Sequence, residues 1–225
     1  MRPGRVGVTI LTMNTNAGSF SARPSVLARL YRFVVRATRH ATRVRGESGA
    51  VVVEFAIIVP LLLTITFGII EFSGAFHDSA IAADATRAGG RVGSALATQP
   101  GYTTSIVDAV DAAFATLPAA SPQELWIYKA NVNGYPGSGT DFSTCGANCI
   151  KYLWNANTKS FNVGAPQGGG WPASSQQVCT EPYDEIGVYV KINHLFFTGF
   201  FGPSVTITDH SVFRFEPVPT SVCAS

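Results

Sequence analysis

Charge of one sign is missing twice near the start of this chain. No Asp or Glu occurs in residues 1–46, and no Lys or Arg occurs between Gly49 and Phe72. The second gap argues against the core helix of a soluble domain, which is shorter and keeps a polar face. Cysteine is absent before Cys145, so any covalent crosslink belongs to the later part of the chain. The glycine run Gly168-Gly169-Gly170 is followed by no Lys-Ser or Lys-Thr pair, which excludes a phosphate-cradling loop. A nucleophile motif with its base, a helix bearing metal ligands and an internal repeat are also missing from the sequence. The expectation is a non-enzymatic protein with no cofactor and no metal.

What is present is an apolar run from Gly49 to Phe72, GAVVVEFAIIVPLLLTITFGIIEF. Crossing the hydrocarbon core takes roughly 20 helical residues, and the run meets that length. Its only charges are Glu54 near the start and Glu71 at the end. A carboxylate at mid-membrane costs about 2.5–3.5 kcal/mol to insert, and less toward the headgroups. Glu54 therefore either rests near the cytoplasmic headgroups or is retained for assembly.

Gly49-Ala50-Val51-Val52-Val53-Glu54-Phe55 resembles the processing site of type IV prepilins and pseudopilins. The longer run VEFAIIVPLLLTITFGIIEF, with Pro60 and its Gly-Ile-Ile-Glu end, is similar to the TadE-like proteins of tight-adherence (type IVb) pilus systems. The resemblance implies cleavage between Gly49 and Ala50 by a membrane aspartyl peptidase. Glu54 then becomes the fifth mature residue, and its charge pairs with the new α-amino group of a neighbouring subunit. The assembly segment so implied includes Glu54, Phe55 and Pro60, the last of which removes one helical hydrogen bond and allows a bend. Implied partners are the cytoplasmic membrane, a prepilin peptidase, other pilins or pseudopilins, and an assembly platform with its ATPase. The segment Ser211 to Pro217 is more weakly similar to TadE-like C-terminal ends. The leader is longer than in many family members, and Met13 offers a second start.

Residues 1–46 carry nine Arg, whereas residues 47–225 carry seven Lys and Arg against fourteen acids. Basic flanks stay on the cytoplasmic side of a span. The N-terminus is thus expected inside a bacterial cytoplasmic membrane crossed once, with everything after Phe72 outside and incorporation into a pilus left open. Arg29, Arg32, Arg36, Arg39 and Arg43 share one helical face, with Val26, Leu30, Phe33, Ala37 and Val44 toward another. Two readings stand for this tail, an amphipathic helix resting on anionic lipid and a loosely ordered basic flank. Nucleic acid is not an expected partner of either.

From Ser73 to Ala97 an Ala-rich stretch extends the helix, weakened near its end by Gly89, Gly90 and Gly93. Pro100-Gly101 breaks it. Thr103 to Leu117 forms a second helix with Ile106, Val107, Val110, Ala113, Phe114 and Leu117 on one side. The period then changes to alternation. Strands are expected over Glu124 to Val132, in a hairpin from Ile150 to Val163, and over Ile186 to Phe197 and Val205 to Phe215. The outcome is an α+β fold: a transmembrane helix extended into a pilin-like helical part, then an antiparallel β-sheet domain. Its parts are a basic cytoplasmic leader (1–49), a transmembrane helix (50–72), an extracytoplasmic helical part (73–120) and an extracytoplasmic β-rich domain (121–225).

Cys145, Cys149, Cys179 and Cys223 all follow the span, and an even count in an oxidising compartment suggests two disulfides. Three pairings are possible, and zinc or free thiols are the competing uses. His77-Asp78 reads as a solvated pair, and His194 and His210 as surface or half-buried sheet residues. Asp184 and Glu185 adjoin a strand, where neighbours face opposite ways and do not converge on a substrate. Tyr135 and Trp171 lie in Gly/Pro-rich loops as an adhesive face or as packing plugs, the plug being favoured for Trp171. The function expected is that of a minor pseudopilin acting through helix–helix packing. The alternative is an uncleaved single-pass envelope protein with an extracytoplasmic binding domain.

Overall fold

A computed structural model describes residues 10–12, 48–118, 121–218 and 223. The basic tail between Val26 and Val44 lies outside the described residues. The chain forms two compact units, one of residues 14–70 and one of Glu71–Ser225 together with Met1–Met13.

Helix α1 runs Ser48–Ala95, so the apolar run and its Ala-rich extension form one helix. In the first unit its side chains are large, apolar and exposed. Val51, Phe55, Ile57, Leu61 and Ile69 each keep more than half of their surface open. Beyond Ile70 the composition changes to Ala, Gly and isolated polar residues, and burial, first seen at Gly68, becomes regular.

The second unit is the α+β arrangement expected. Helix α2, Tyr102–Phe114, follows Gly101, whose φ of +80° is a left-handed turn that a side chain would strain. Its Ile106, Val107, Val110 and Phe114 are buried on one face. The strands are β2 Pro122–Lys129, β3 Cys149–Asn155, β4 Ser160–Phe161, β5 Glu185–Leu195 and β6 Ser204–Arg214. They pair antiparallel in the order β6-β5-β2-β3-β4. A further strand, β1 at Ile10–Thr12, pairs antiparallel along the outer edge of β6. No strand is expected in the basic leader, although Val8-Thr9-Ile10-Leu11-Thr12 is rich in β-branched residues.

One face of the sheet holds the core. Leu125 and Ile127 of β2, Ile186, Val188, Val190 and Ile192 of β5, and Val205 and Ile207 of β6 join the buried side chains of α1 and α2. The other face is covered by a loop rather than by a helix. Phe142, in the connection from β2 to β3, stacks on Tyr189 with ring centroids 4.2 Å apart and lies edge-on to Trp126 and Tyr128. Gly187 admits the Tyr128 ring, which an added Cβ would strike. Both faces of β2 are therefore dry, which is why Trp126 and Tyr128 are as buried as Leu125 and Ile127.

The disulfides close as Cys145–Cys149 and Cys179–Cys223. The first crosslinks the end of the Phe142 loop to the start of β3. The second, with a sequence separation of 44, ties the C-terminal segment to the loop before β5, where restricting the unfolded chain is worth about 2–4 kcal/mol.

The outer part of α1 is fixed to the β5–β6 hairpin through buried polar residues spaced about two turns apart. Glu71, Asp78, Thr86 and Ser94 are all buried, and at that spacing they share one helical face. Thr86 Oγ1 donates to Asp209 Oδ2 at 2.7 Å, and the Thr86 carbonyl accepts from Ser211 Oγ at 2.6 Å. The Ser94 carbonyl accepts from the Glu216 N–H at 3.2 Å. Between these pins lie Ala75, Ala82, Ala85, Gly89, Gly90 and Gly93. A Cβ on Gly93 would come within 2.7 Å of Ile186 Cδ1, and one on Gly90 would strike the Phe213 ring. The glycines, which propensity alone reads as weakening the helix end, are where sheet and α2 side chains approach its backbone.

Candidate functional site

Two places on α1 carry the chemistry of interest, the apolar stretch and the point where it ends. Gly49 and Ala50 lie in its first turn, exposed, with open space where a Cβ on Gly49 would project. Glu54 is exposed among Val51, Val53, Phe55 and Ile57, and Phe55 keeps 67% of its surface open. Pro60 sits inside the helix without ending it. Thr64 Oγ1 donates to the Pro60 carbonyl and Thr66 Oγ1 to the Leu62 carbonyl, both at 2.8 Å. These hydroxyls are satisfied within the helix and bring no unmet hydrogen bond into lipid.

The length of the stretch and its two carboxylates agree. From Gly49 to Phe72 a helix spans about 36 Å, and Glu54 and Glu71 are separated along it by about 26 Å. A hydrocarbon core of about 30 Å leaves each carboxylate within a turn of an interface. The stretch is the one helix among the described residues long and apolar enough to cross a membrane, and its apolar window is not buried. Fully covering a Val, Leu, Ile or Phe side chain is worth about 1.5–3 kcal/mol, so this surface belongs against lipid or other apolar helices.

At the exit, the charge is handled differently from Glu54. Glu71 is buried, and its Oε2 accepts the Phe197 N–H at 2.8 Å. Its Oε1 accepts the Thr198 N–H. The carboxylate thus holds the backbone of the loop joining β5 to β6. Phe72 packs its ring on Phe201 at 5.1 Å and edge-on to Phe196 at 6.5 Å. Two turns further on, Asp78 Oδ2 lies 2.7 Å from His194 Nδ1, while exposed His77 Nδ1 lies 3.5 Å from Asp78 Oδ1. This corrects the solvated-pair reading of His77-Asp78. Only His77 is solvated, because Asp78 is drawn to β5 by a histidine more than a hundred residues away. Glu71 and Asp78 were missed as fixing points because their partners lie far along the chain; their two-turn spacing was the available signal.

The remaining candidates lie away from the exit. Asp184 is buried, pairs with Lys129 Nζ at 2.6 Å and accepts the Gln177 N–H at 3.0 Å, while Glu185 is exposed. Asp184 therefore ties the start of β5 to the end of β2. His210 is half-buried beside the Tyr135 and Phe142 rings, and burial pulls its imidazole below the usual histidine range, against the pull of Asp209. Tyr135 is partly buried in that cluster, against the Phe142 and His210 rings. Trp171 is a plug: it is 1% exposed, packs on Tyr102 and Phe215, and its carbonyl accepts the Tyr102 hydroxyl. All four cysteines are taken up in disulfides, which leaves no thiol for zinc.

No curated protein and no solved structure matches the chain. A family model described as TadE-like protein matches residues 49–91, a segment that takes in the Gly49-Ala50 step, Glu54, Pro60, Glu71, Asp78 and Thr86. The match covers about a fifth of the chain, and over that segment, which includes the candidate membrane span, the chain is similar to TadE-like proteins.

Proposed function

We propose that the protein is a minor pseudopilin of a tight-adherence pilus or related secretion filament, acting without catalysis by packing the first half of α1 against other pilin or pseudopilin helices. The observation that carries this reading is the largely exposed apolar surface of residues 51–70, bearing the single carboxylate of Glu54 in a segment that matches TadE-like proteins. Lipid satisfies the apolar surface but not the charge. A neighbouring α-amino group satisfies both the charge and the axial register, which is a use of a costly intramembrane group as a specificity device.

In this reading the prepilin peptidase cuts between Gly49 and Ala50, the basic leader stays in the cytoplasm, and the sheet domain lies outside. The platform and its ATPase then handle the mature chain. The pairing of Ile10–Thr12 with β6 and this separation of leader from sheet exclude one another. A chain inserted and cleaved in this way leaves the outer edge of β6 uncovered.

The test is the intact mass of the membrane-extracted protein with and without the peptidase. A chain beginning at Ala50 only in the presence of the peptidase supports the reading, and Glu54→Ala is then expected to abolish assembly while leaving processing intact. A chain that keeps its nine leader arginines under both conditions overturns cleavage and favours the uncleaved envelope anchor.

A further inference from the structure

The loop joining β5 and β6, Phe196-Phe197-Thr198-Gly199-Phe200-Phe201-Gly202-Pro203, is unusual for a hairpin connection. No charged residue occurs from Leu195 to Thr208. Phe197 leaves 93% of its surface open, Leu195 56% and Phe200 54%. Contiguous apolar exposure of this kind marks a contact surface, and here its position says which one. The loop is held by the carboxylate of Glu71 through the Phe197 and Thr198 amides, and its Phe196 and Phe201 pack on Phe72. Glu71 and Phe72 are the last two residues of the apolar run. Left-handed turns at Gly199 and Gly202, with φ +68° and +108°, let the chain reverse while Phe197 and Phe200 stay exposed.

The geometry points to this loop as a second membrane contact, seated in the lipid interface where the spanning helix emerges. The inference rests on the reading of residues 49–72 as a membrane span. Aromatic rings favour the headgroup level of a bilayer, and an uncharged loop tied to the helix at that level meets no charged headgroup partner to repel it. Glu71 serves two purposes there. It holds the loop, and the two amides shield its charge from the hydrocarbon below.

The experiment uses the full chain in vesicles of phosphatidylcholine and phosphatidylglycerol. The variants are Phe197→Trp, Phe200→Trp as an independent second probe, and Val132→Trp as the reference. Val132 is 84% exposed and follows β2 at the end that pairs with the start of β5, the opposite end of the sheet from the loop. Flotation with the vesicles reports the span. Brominated phosphatidylcholine and aqueous iodide then report the loop, after subtraction of the unsubstituted protein. The expected result is severalfold stronger quenching by brominated lipid, and severalfold weaker quenching by iodide, at both loop positions than at Val132→Trp. Iodide quenching at the loop equal to the reference overturns the proposal. Protection from both quenchers also overturns it, and assigns the loop to a protein partner. A chain that fails to float overturns the span and the loop together.

Discussion

Two stretches of α1, residues 51–70 and residues 71–95, are built from different side chains because they meet different surroundings. The first is a collar of Val, Ile, Leu and Phe whose rings and branches are mostly open. The second buries Ala and Gly so that sheet and α2 side chains reach its backbone, and places Glu71, Asp78, Thr86 and Ser94 where acceptors and donors of the hairpin can meet them. Large apolar side chains left open mark a surface whose partner is not this chain. Small residues with buried polar pins mark one whose partner is. The change occurs over the last turn of the apolar run, where Gly68 and then Glu71 are the first buried residues of the helix.

That comparison is open to attack from both sides, and the largest effect is expected in the first stretch. Leu61→Arg puts a cation in the middle of the apolar collar, at a cost of about 3 kcal/mol, which is roughly a hundredfold loss of the membrane-inserted fraction. Flotation with vesicles measures it, and urea denaturation of the sheet domain should stay unchanged. In the second stretch, Gly93→Leu drives a side chain into Ile186 and Ile106, costing about 2–3 kcal/mol of domain stability with flotation unaffected. Gly49→Ala, where the space is open, should cost no stability. Thr86→Val removes one donor from the buried Asp209 carboxylate and should cost about 2 kcal/mol, read from the midpoint of the same urea transition. If Thr86→Val changed insertion, or Leu61→Arg changed domain stability, the two stretches would not be independent and the comparison would fail.

Much of this organisation was legible in the sequence because it follows local rules. The span shows in uninterrupted hydropathy, and β5 and β6 in alternation at Ile186, Val188, Val190 and Ile192 and at Val205 and Ile207. The α2 face shows in the spacing of Ile106, Val107, Val110 and Phe114. What escaped depends on distant partners. Gly89, Gly90 and Gly93 read as helix-weakening until Ile106, Ile186 and Phe213 are placed beside them. Asp78 reads as solvated until His194 arrives from β5. The second face of the sheet was hidden for another reason: its cover, Phe142, comes from a Gly- and Ser-rich loop with no periodicity. Of the candidate assembly residues, Glu54 and Pro60 were legible as departures from a plain apolar run, but their role requires a second chain.

Acid sharpens the same comparison with the smallest expected effect. Asp111 on α2 accepts the Phe161 N–H at 3.3 Å. Burial pushes its carboxyl up to about 6, with the Phe161 bond opposing the rise and Asp108 adding to it. An unfolded Asp titrates near 3.9, so the folded chain binds this proton more tightly. The stabilisation is fully present below about pH 4 and is lost as pH rises through about 6. Solvent around a half-buried carboxyl reduces the full shift to on the order of 1 kcal/mol. Asp111→Asn keeps an oxygen for the Phe161 amide and removes the titration. It should therefore stabilise the domain by about 1 kcal/mol at pH 7 and by nothing at pH 4, measured by urea denaturation at both values. His210 acts with the opposite sign, since burial lowers its imidazole and stability is lost as pH falls below about 6.5. Subtracting the Asn variant from the parent cancels that histidine and isolates Asp111. The exposed stretch of α1 has no part in either effect, so vesicle flotation should not change over this range, and a flotation shift that followed the Asp111 titration would join what the structure keeps apart.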